Sequence, residues 1–333
     1  MKTELYTIVS TENKNGDKNM KFLGINNIYH GRSEELMKKI TPGSIALSFW
    51  SPPYFVGKNY EKDETFDSWQ ETLRRVIELH TPVLKPGGFM VINIADILCF
   101  PDENIPRFQA LNIKNQKCEV TKEMVLQAKQ KYPDYSRYQL AELLDCSEQT
   151  IDRRVNGNNI RGGKYQTQTR VKVVGGHLEE YAYNAGLYLY DKRVWAKDPT
   201  WANSRWTSNT LKAVSEYEDI YIFWKPGQQI VDRAKLSNNE WREWGLRGIW
   251  HIKSVRANDK HEAQFPLALA DRVIRLYSDK GDTILDPFIG SGTTALAALK
   301  NKRKYIGIDK EKKYTELANQ KIKEFLNQPS LID

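Results

Sequence analysis

Cysteine is scarce in this chain, with three residues in 333: Cys99, Cys118 and Cys146. They form no CxxC pair and no cluster with histidine, so neither a disulfide framework nor a thiolate zinc site is supported. Histidine is equally thin, five in all and scattered, which argues against a metal centre built on imidazoles. Cys146 lies in an apolar helical context and reads as core. No apolar run approaches the ~18 residues that a membrane-spanning helix requires. The first twenty residues are polar and rich in lysine rather than signal-like, so the expected compartment is the cytoplasm, with no membrane partner. No internal repeat and no low-complexity tract is visible.

What is present is an ordinary globular composition, 40% hydrophobic and 28% charged. A chain of this length can bury one large core plus a smaller one. The net charge of +8 and pI near 9.1 favour a polyanionic partner or simply a basic surface.

Residues 1–24 read as a polar arm. From 25 to 100 the chain alternates: a short strand and turn at Asn27–Gly31, a helix near Ser33–Ile40, and an apolar strand from Ser44 to Trp50. An amphipathic helix follows at Phe66–Leu84, then a stop at Lys85-Pro86-Gly87-Gly88 and a strand at Phe89–Ile94. That alternation implies a parallel sheet. Residues 101–180 break the rhythm and read as an insert, without strand signals until Arg170–Val174. Strands return within 181–225, at Leu187–Trp195 and Asp219–Trp224. Residues 226–260 are irregular and rich in arginine, lysine and tryptophan. The last segment, 261–333, reads as helix 262–277 with Pro266 in its first turn, strand 283–285, helix 293–299, strand 304–308 and helix 314–326.

Two loops stand out, each following a buried strand, where open α/β sheets bind ligands. The first is Ser51-Pro52-Pro53-Tyr54. The second is Asp286-Pro287-Phe288-Ile289-Gly290-Ser291-Gly292-Thr293-Thr294. Gly290 and Gly292 permit a tight turn and a close backbone approach, and Thr293-Thr294 opens a helix whose N–H groups can face a polar ligand. No Gly-Lys-Ser/Thr follows, so this is not a phosphate-binding P-loop. One strand later, Asp309 stands at a strand end, where a ribose diol is held in adenosyl and dinucleotide sites. By itself Asp309 would equally serve as a helix N-cap.

These two loops, with His261-Glu262-Ala263-Gln264-Phe265-Pro266 before the second, resemble the amino-group DNA methyltransferases that use S-adenosylmethionine. Their order, catalytic loop first and cofactor loop last, resembles the β arrangement of that family. The resemblance implies a seven-stranded, mostly parallel Rossmann-like sheet in circularly permuted order, with a reversed last hairpin. It implies a cofactor site made by His30, Gly31, Trp50, Phe265, Asp286, Pro287, Phe288, Gly290, Ser291, Gly292, Thr293, Thr294 and Asp309, and a catalytic loop made by Ser51, Pro52, Pro53 and Tyr54. Ser-Pro-Pro-Tyr is the form most frequent in N4-cytosine enzymes; Asp or Asn in the first place is commoner in N6-adenine enzymes. Such an enzyme must localise the lone pair of a conjugated, weakly nucleophilic amine. Outward-facing proline carbonyls as acceptors, a Ser51 hydroxyl near the amine or the ring nitrogen, and the Tyr54 ring as a stacking surface for a flipped base suit that task. One departure is visible: Arg32 replaces the aspartate that usually follows the family's Gly31, leaving Ser33, Glu34 or a backbone group as substitutes.

Residues 136–157 resemble a helix-turn-helix. Leu140, Ala141, Leu144, Ile151 and Val155 would face inward, Ser147 would cap the second helix, and Asp145 replaces a frequent turn glycine. Thr121–Tyr132 would be a supporting helix. Gln149, Thr150, Arg153 and Arg154 are then the outward, DNA-facing side chains; a hairpin that merely packs is the alternative. Arg242 and Arg247 are second DNA candidates. The expected partner is double-stranded DNA and the expected state a monomer or homodimer; a separate restriction endonuclease is the further partner that the resemblance implies. N6-adenine or RNA methylation, and a DNA-binding regulator with an inactive core, remain alternatives at this point.

Overall fold

The computed structural model describes residues 21–54, 65–95, 97–99, 119–156, 171–198, 213, 216–255 and 264–327. Most of the polar arm, Cys118, Arg256, His261 to Ala263 and the Gln149 side chain lie outside the described residues.

The chain opens with strand β1 (Asn27–His30), helix α1 (Ser33–Leu36) continuing into a 3-10 turn (Met37–Lys39), strand β2 (Ile45–Trp50) and helix α2 (Phe66–Val83). Strands β3 (Leu84–Ile94) and β4 (Ile97–Cys99) follow, then helices α3 (Lys122–Lys131), α4 (Arg137–Leu143) and α5 (Glu148–Asn156). Next come strand β5 (Val171–Val173), helix α6 (Gly175–Asn184), strands β6 (Tyr188–Ala196) and β7 (Tyr217–Trp224), the short helix α7 (Asn238–Glu240) and strand β8 (Ile249–His251). The chain ends with helix α8 (Leu267–Tyr277), strand β9 (Thr283–Asp286), helix α9 (Thr293–Lys300), strand β10 (Lys304–Asp309) and helix α10 (Lys312–Leu326). Contacts divide it into two units: residues 1–100, 171–199 and 216–333, and residues 101–170 and 200–215.

The larger unit holds an eight-stranded sheet in the order β1-β10-β9-β2-β3-β7-β6-β8. The strands from β1 to β3 pair parallel, and β7 runs antiparallel to both neighbours. Eight strands replace the expected seven because Ile249–His251 adds parallel to β6. Its anchor is Trp250, 1% exposed, packed edge-on against Trp244. Residues 171–180 belong to this unit rather than to the insert: β5 pairs with β4, and α6 lies on α2.

Strand β2 is buried on both faces, as a central parallel strand should be. Leu47 and Phe49 join the core formed with Leu269, Val273, Ile274 and Ala295. On the other face the buried stripe of α2, Trp69, Leu73, Val76, Ile77, His80 and Val83, covers the sheet. Thr65 starts that helix with a capping box.

Strand β3 begins earlier than Lys85-Pro-Gly-Gly suggests. Ile45 pairs with Leu84 and Leu47 with Phe89, so residues 85–88 bulge out of the ladder. Gly87, at φ 81°, donates its amide to the Lys225 carbonyl at 3.0 Å. Gly227, at φ 155°, crosses directly over it, and a Cβ there would collide with the Gly87 nitrogen. Gly227→Ala should therefore cost at least ~2 kcal/mol, read from the shift in denaturant midpoint; an unshifted midpoint would show that the crossing relaxes freely. Helix α8 starts at Leu267 rather than near 262, because Pro266 is extended at ψ 149° and restrains Phe265 before it.

The smaller unit is a three-helix cluster around Val120, Val125, Ala128, Leu140, Ala141 and Ile151, with Leu144, Cys146 and Val155 partly buried at its edge. Thr121, Ser136 and Ser147 each accept a bond from a first-turn amide. Asp145 takes φ 46° in the turn between α4 and α5, the left-handed conformation for which glycine is usually selected.

Candidate active site at the crossover of the sheet

Chain direction sets the site. From β9 the chain crosses through α9 to β10 on one side; from β2 it crosses through α2 to β3 on the other. Strands β9 and β2 are neighbours, with Leu47 opposite Ile284 and Ser48 opposite Leu285. The carboxyl ends of these two strands flank the topological switch point, where open α/β sheets leave a crevice. The two loops read from opposite ends of the chain thus emerge side by side.

In the loop after β9, Gly290 (φ 49°) and Gly292 (φ 82°) take left-handed conformations, and Gly292 is the N-cap of α9. Gly292 also packs on α10, where a Cβ would meet that of Ala318 at 2.9 Å. Asp286 is 2% exposed and accepts the Phe288 amide at 2.9 Å and the Thr294 hydroxyl. Burial raises its carboxyl to about 7, helped by the charge of Asp309 and opposed by those two hydrogen bonds. Asp309 accepts the Gly290 amide on Oδ2 and the Glu311 amide on Oδ1, at 2.9 and 2.8 Å. It therefore does cap the turn into α10, with one bond made to each of its oxygens. Burial raises its pKa too. Thr293 is buried, and the Ser291 hydroxyl donates to Gln264 Oε1 at 2.5 Å and receives Lys321 at 3.2 Å. Pro287 is tied to α1, since the Ser33 hydroxyl donates to its carbonyl.

The remaining members of the expected cofactor set surround this loop. His30 contacts the Lys310 carbonyl at 3.1 Å, and the Gly31 amide donates to the Asp309 carbonyl at 2.9 Å. Phe265 lies 4.9 Å from the Phe49 ring. Trp50 is fully buried, stacked on His80 at 5.7 Å and 5.3 Å from Phe288, so it backs Phe288 rather than lining open space. His80 stays neutral at ordinary pH, its pKa lowered to about 4 by burial. Arg32 pairs with Glu34 at 2.8 Å. With Ser33 bonded to Pro287, neither proposed substitute for the family's aspartate is disengaged.

The loop after β2 differs from expectation at one of its prolines. The Pro53 carbonyl does not face outward: Trp69 Nε1 donates to it at 2.7 Å. Of the acceptors read from the sequence, that removes the Pro53 carbonyl. The Tyr54 hydroxyl is engaged as well. It donates to Glu218 Oε2 at 2.7 Å, and the Ser51 hydroxyl donates to it at 3.1 Å. Burial and the Glu218 charge push its pKa well above the usual 10.0. Asn93 Nδ2 reaches the same Glu218 oxygen at 2.7 Å, and Lys197 Nζ reaches Oε1 at 2.5 Å.

Asn93, Glu218 and Lys197 are absent from the residues selected by sequence. A signal exists for Asn93, a polar residue inside the apolar run Phe89–Ile94. Lys197 stands in Trp195-Ala196-Lys197, which matches a scaffold position of the resembled family and otherwise reads as a strand end. Among the DNA-facing candidates, Arg153 is exposed and Thr150 half-buried. Arg154 is half-buried, and its Nε donates to the Val120 carbonyl at 2.8 Å, pinning α5 to the start of α3. Arg242 and Arg247 are exposed, with Arg247 Nε on the Arg242 carbonyl at 3.1 Å. The basic character of 226–260 is partly spent internally, since Lys235 pairs with Asp279 at 3.0 Å.

A Rossmann-like sheet with a glycine loop and a proline loop at its switch point defines a methyltransferase of the S-adenosylmethionine class. The profile of a family described as DNA methylase, covering N6 and N4 enzymes, matches residues 45–320. The chain belongs to this family: it is a DNA methyltransferase whose cofactor is S-adenosylmethionine and whose substrate is DNA. It is 57% identical over 307 residues to the Type II methyltransferase M.BglI of Bacillus subtilis, covering 92% of this chain and 88% of that one. It is 24% identical to the DNA adenine methyltransferase YhdJ of Escherichia coli (strain K12), covering 87% and 80%. The S-adenosyl-L-methionine complex of TTHA0409 from Thermus thermophilus shares the fold, with a TM-score of 0.57 at 21% identity over 91% of this chain and 95% of that one. The cytosine-N4-specific PvuII DNA methyltransferase does so with a TM-score of 0.53 at 17% identity, over 92% and 93%.

Proposed function

We propose that this enzyme methylates the N4 amine of a cytosine turned out of a specific site in double-stranded DNA. The observation that carries the reading is Ser51, at the first position of a loop whose other acceptor is the Pro52 carbonyl. Both stand at the end of β2, beside the glycine loop.

The residues of the second loop fit the cofactor. Asp286 and Asp309 are buried carboxylates beside a helix N-terminus, the donor and acceptor set that suits a cationic, amino-acid-bearing adenosyl compound. Asp286, Phe288, Gly290, Gly292 and Thr293 would hold its methionine end and Asp309 its ribose, with Phe265 and His30 at the margin. When bound, the cofactor supplies an electrophilic methyl group on sulfonium. The chain's own part is positioning. Ser51 and the Pro52 carbonyl accept the amine's hydrogens and thereby localise its lone pair. The Tyr54 ring offers a stacking face for the base, and Trp69, by fixing Pro53, keeps the loop rigid.

The three-helix unit supports DNA recognition, with α5 as the candidate groove helix of a helix-turn-helix and Arg153 its exposed cation. Arg153→Ala should lower the slope of log affinity against log salt by about one counterion; an unchanged slope removes α5 from the interface. The 57% identity to a Type II methyltransferase fits a role beside a restriction endonuclease.

Nucleoside analysis of DNA from cells expressing the protein tests the base. N4-methylcytosine is the expected product. N6-methyladenine alone, the product suggested by the likeness to YhdJ, would replace this reading with adenine methylation.

A further inference from the structure

The geometry points to Glu218 as a positioning residue that orients the hydrogen bonds of the catalytic loop, so that Ser51 meets the target amine purely as an acceptor. The inference rests on the reading of Ser51–Tyr54 as the catalytic loop. A carboxylate or an amide carbonyl at the first loop position accepts hydrogen bonds by constitution. A serine hydroxyl is ambivalent, with one proton and two lone pairs, and its direction must be imposed by its neighbours.

That direction can be followed from the far end. Glu218 is 7% exposed and carries three contacts: Lys197 Nζ at 2.5 Å, Asn93 Nδ2 at 2.7 Å and the Tyr54 hydroxyl at 2.7 Å. An ammonium and an amide NH2 only donate, and a carboxylate only accepts, so the Tyr54 proton points at Glu218. The Asn93 amide cannot be turned over, because its oxygen would then face the carboxylate; as placed, Asn93 Oδ1 has no partner and Nδ2 makes the bonds. The Tyr54 oxygen is left to accept, from Ser51 at 3.1 Å, from Asn93 at 3.4 Å and from the Ala95 amide. The single Ser51 proton is thereby used. The chain of donors runs Ser51 to Tyr54 to Glu218, and the lone pairs of Ser51 remain for the amine. Lys197 offsets the buried charge at the end of the chain. Four strands contribute to the arrangement: Asn93 is in β3, Glu218 in β7, Ser51 follows β2 and Lys197 follows β6. All of these ends lie on one edge of the sheet, as the pairings Ile94–Asp219 and Trp195–Glu218 require.

The test uses the full-length enzyme, a DNA substrate carrying its site, and the variants Glu218→Gln, Tyr54→Phe and the double variant. Glu218→Gln should lower kcat about tenfold to a hundredfold, the scale of one charge-assisted hydrogen bond, while the Kd for S-adenosylmethionine stays within about twofold. Tyr54→Phe, which leaves the Lys197–Glu218 pair intact, should lower kcat similarly without a fall in melting temperature. The double variant should be no worse than the worse single, because both cut the same chain. A wild-type kcat in either single variant, or losses that multiply in the double, would overturn the inference while leaving the cofactor and base readings standing. Absence of methyl transfer by the wild-type enzyme would instead remove the catalytic-loop reading itself, and this inference with it.

Discussion

Asp286→Ala should abolish S-adenosylmethionine binding, and Asp286→Asn should flatten a pH dependence that the wild type displays. The side chain is buried, fastens the Phe288 amide and the Thr294 hydroxyl, and so shapes the loop before any ligand arrives. Its carboxyl is raised from 3.8 to about 7, first by burial and then by the neighbouring Asp309 charge. The sign follows from linkage. Between those two values the folded chain keeps a proton that the unfolded chain has released, so stability falls as pH rises from about 4 to about 7, by about 4 kcal/mol in all. Above that range the buried carboxylate is ionised in both states and the loss is complete. A cationic cofactor favours the ionised form, so affinity should rise with pH up to about 7 and level off above it, by at most about tenfold per unit. Calorimetric titration between pH 5.5 and 8, as an experimental range of roughly two units around the midpoint, would show it. A wild-type affinity independent of pH would mean that Asp286 does not meet the cofactor's charge.

The second large effect is expected at Ser51. Ser51→Ala should lower kcat about a hundredfold, the scale of removing one preorganised polar group from a transition state, with cofactor affinity unchanged. The reason is geometric. With Pro53 bonded to Trp69, the loop has lost one of the acceptors that its sequence advertises, and the burden falls on Ser51 and Pro52. Pro52→Ala should keep the carbonyl but loosen it, retaining cofactor binding and losing part of the turnover. Single-turnover methylation of a DNA duplex separates the two steps. A Ser51→Ala enzyme at wild-type rate would place the acceptor elsewhere.

Much of the fold was legible because its signals are local. The helical spacing of Trp69, Leu73, Val76 and Ile77 specified α2, and continuous apolar runs marked β2, β3 and β9 as buried strands. Glycine at 290 and 292 marked a tight turn, which the backbone makes with left-handed conformations at both. The failures were local signals overridden by partners far away. Lys85-Pro-Gly-Gly reads as a stop, yet β2 pairs with the residues on both sides of it and the turn becomes a bulge. Trp250 carries the extra strand β8, whose three residues are too short to declare themselves by pattern.

Residue types and their order along the chain set the chemistry available: a serine-led proline loop, a glycine loop flanked by carboxylates, and the inverted order of the two. These are properties of residue type and neighbouring dihedrals, which act over a few bonds. Which of these groups are engaged depends on how the strands pack. Strand order makes β2 and β9 neighbours across more than two hundred residues of sequence. It also sets Glu218, 164 residues from Tyr54, within hydrogen-bonding distance of its hydroxyl. Hydrogen bonds are specified by position in space to a few tenths of an ångström, and no spacing along the chain encodes that.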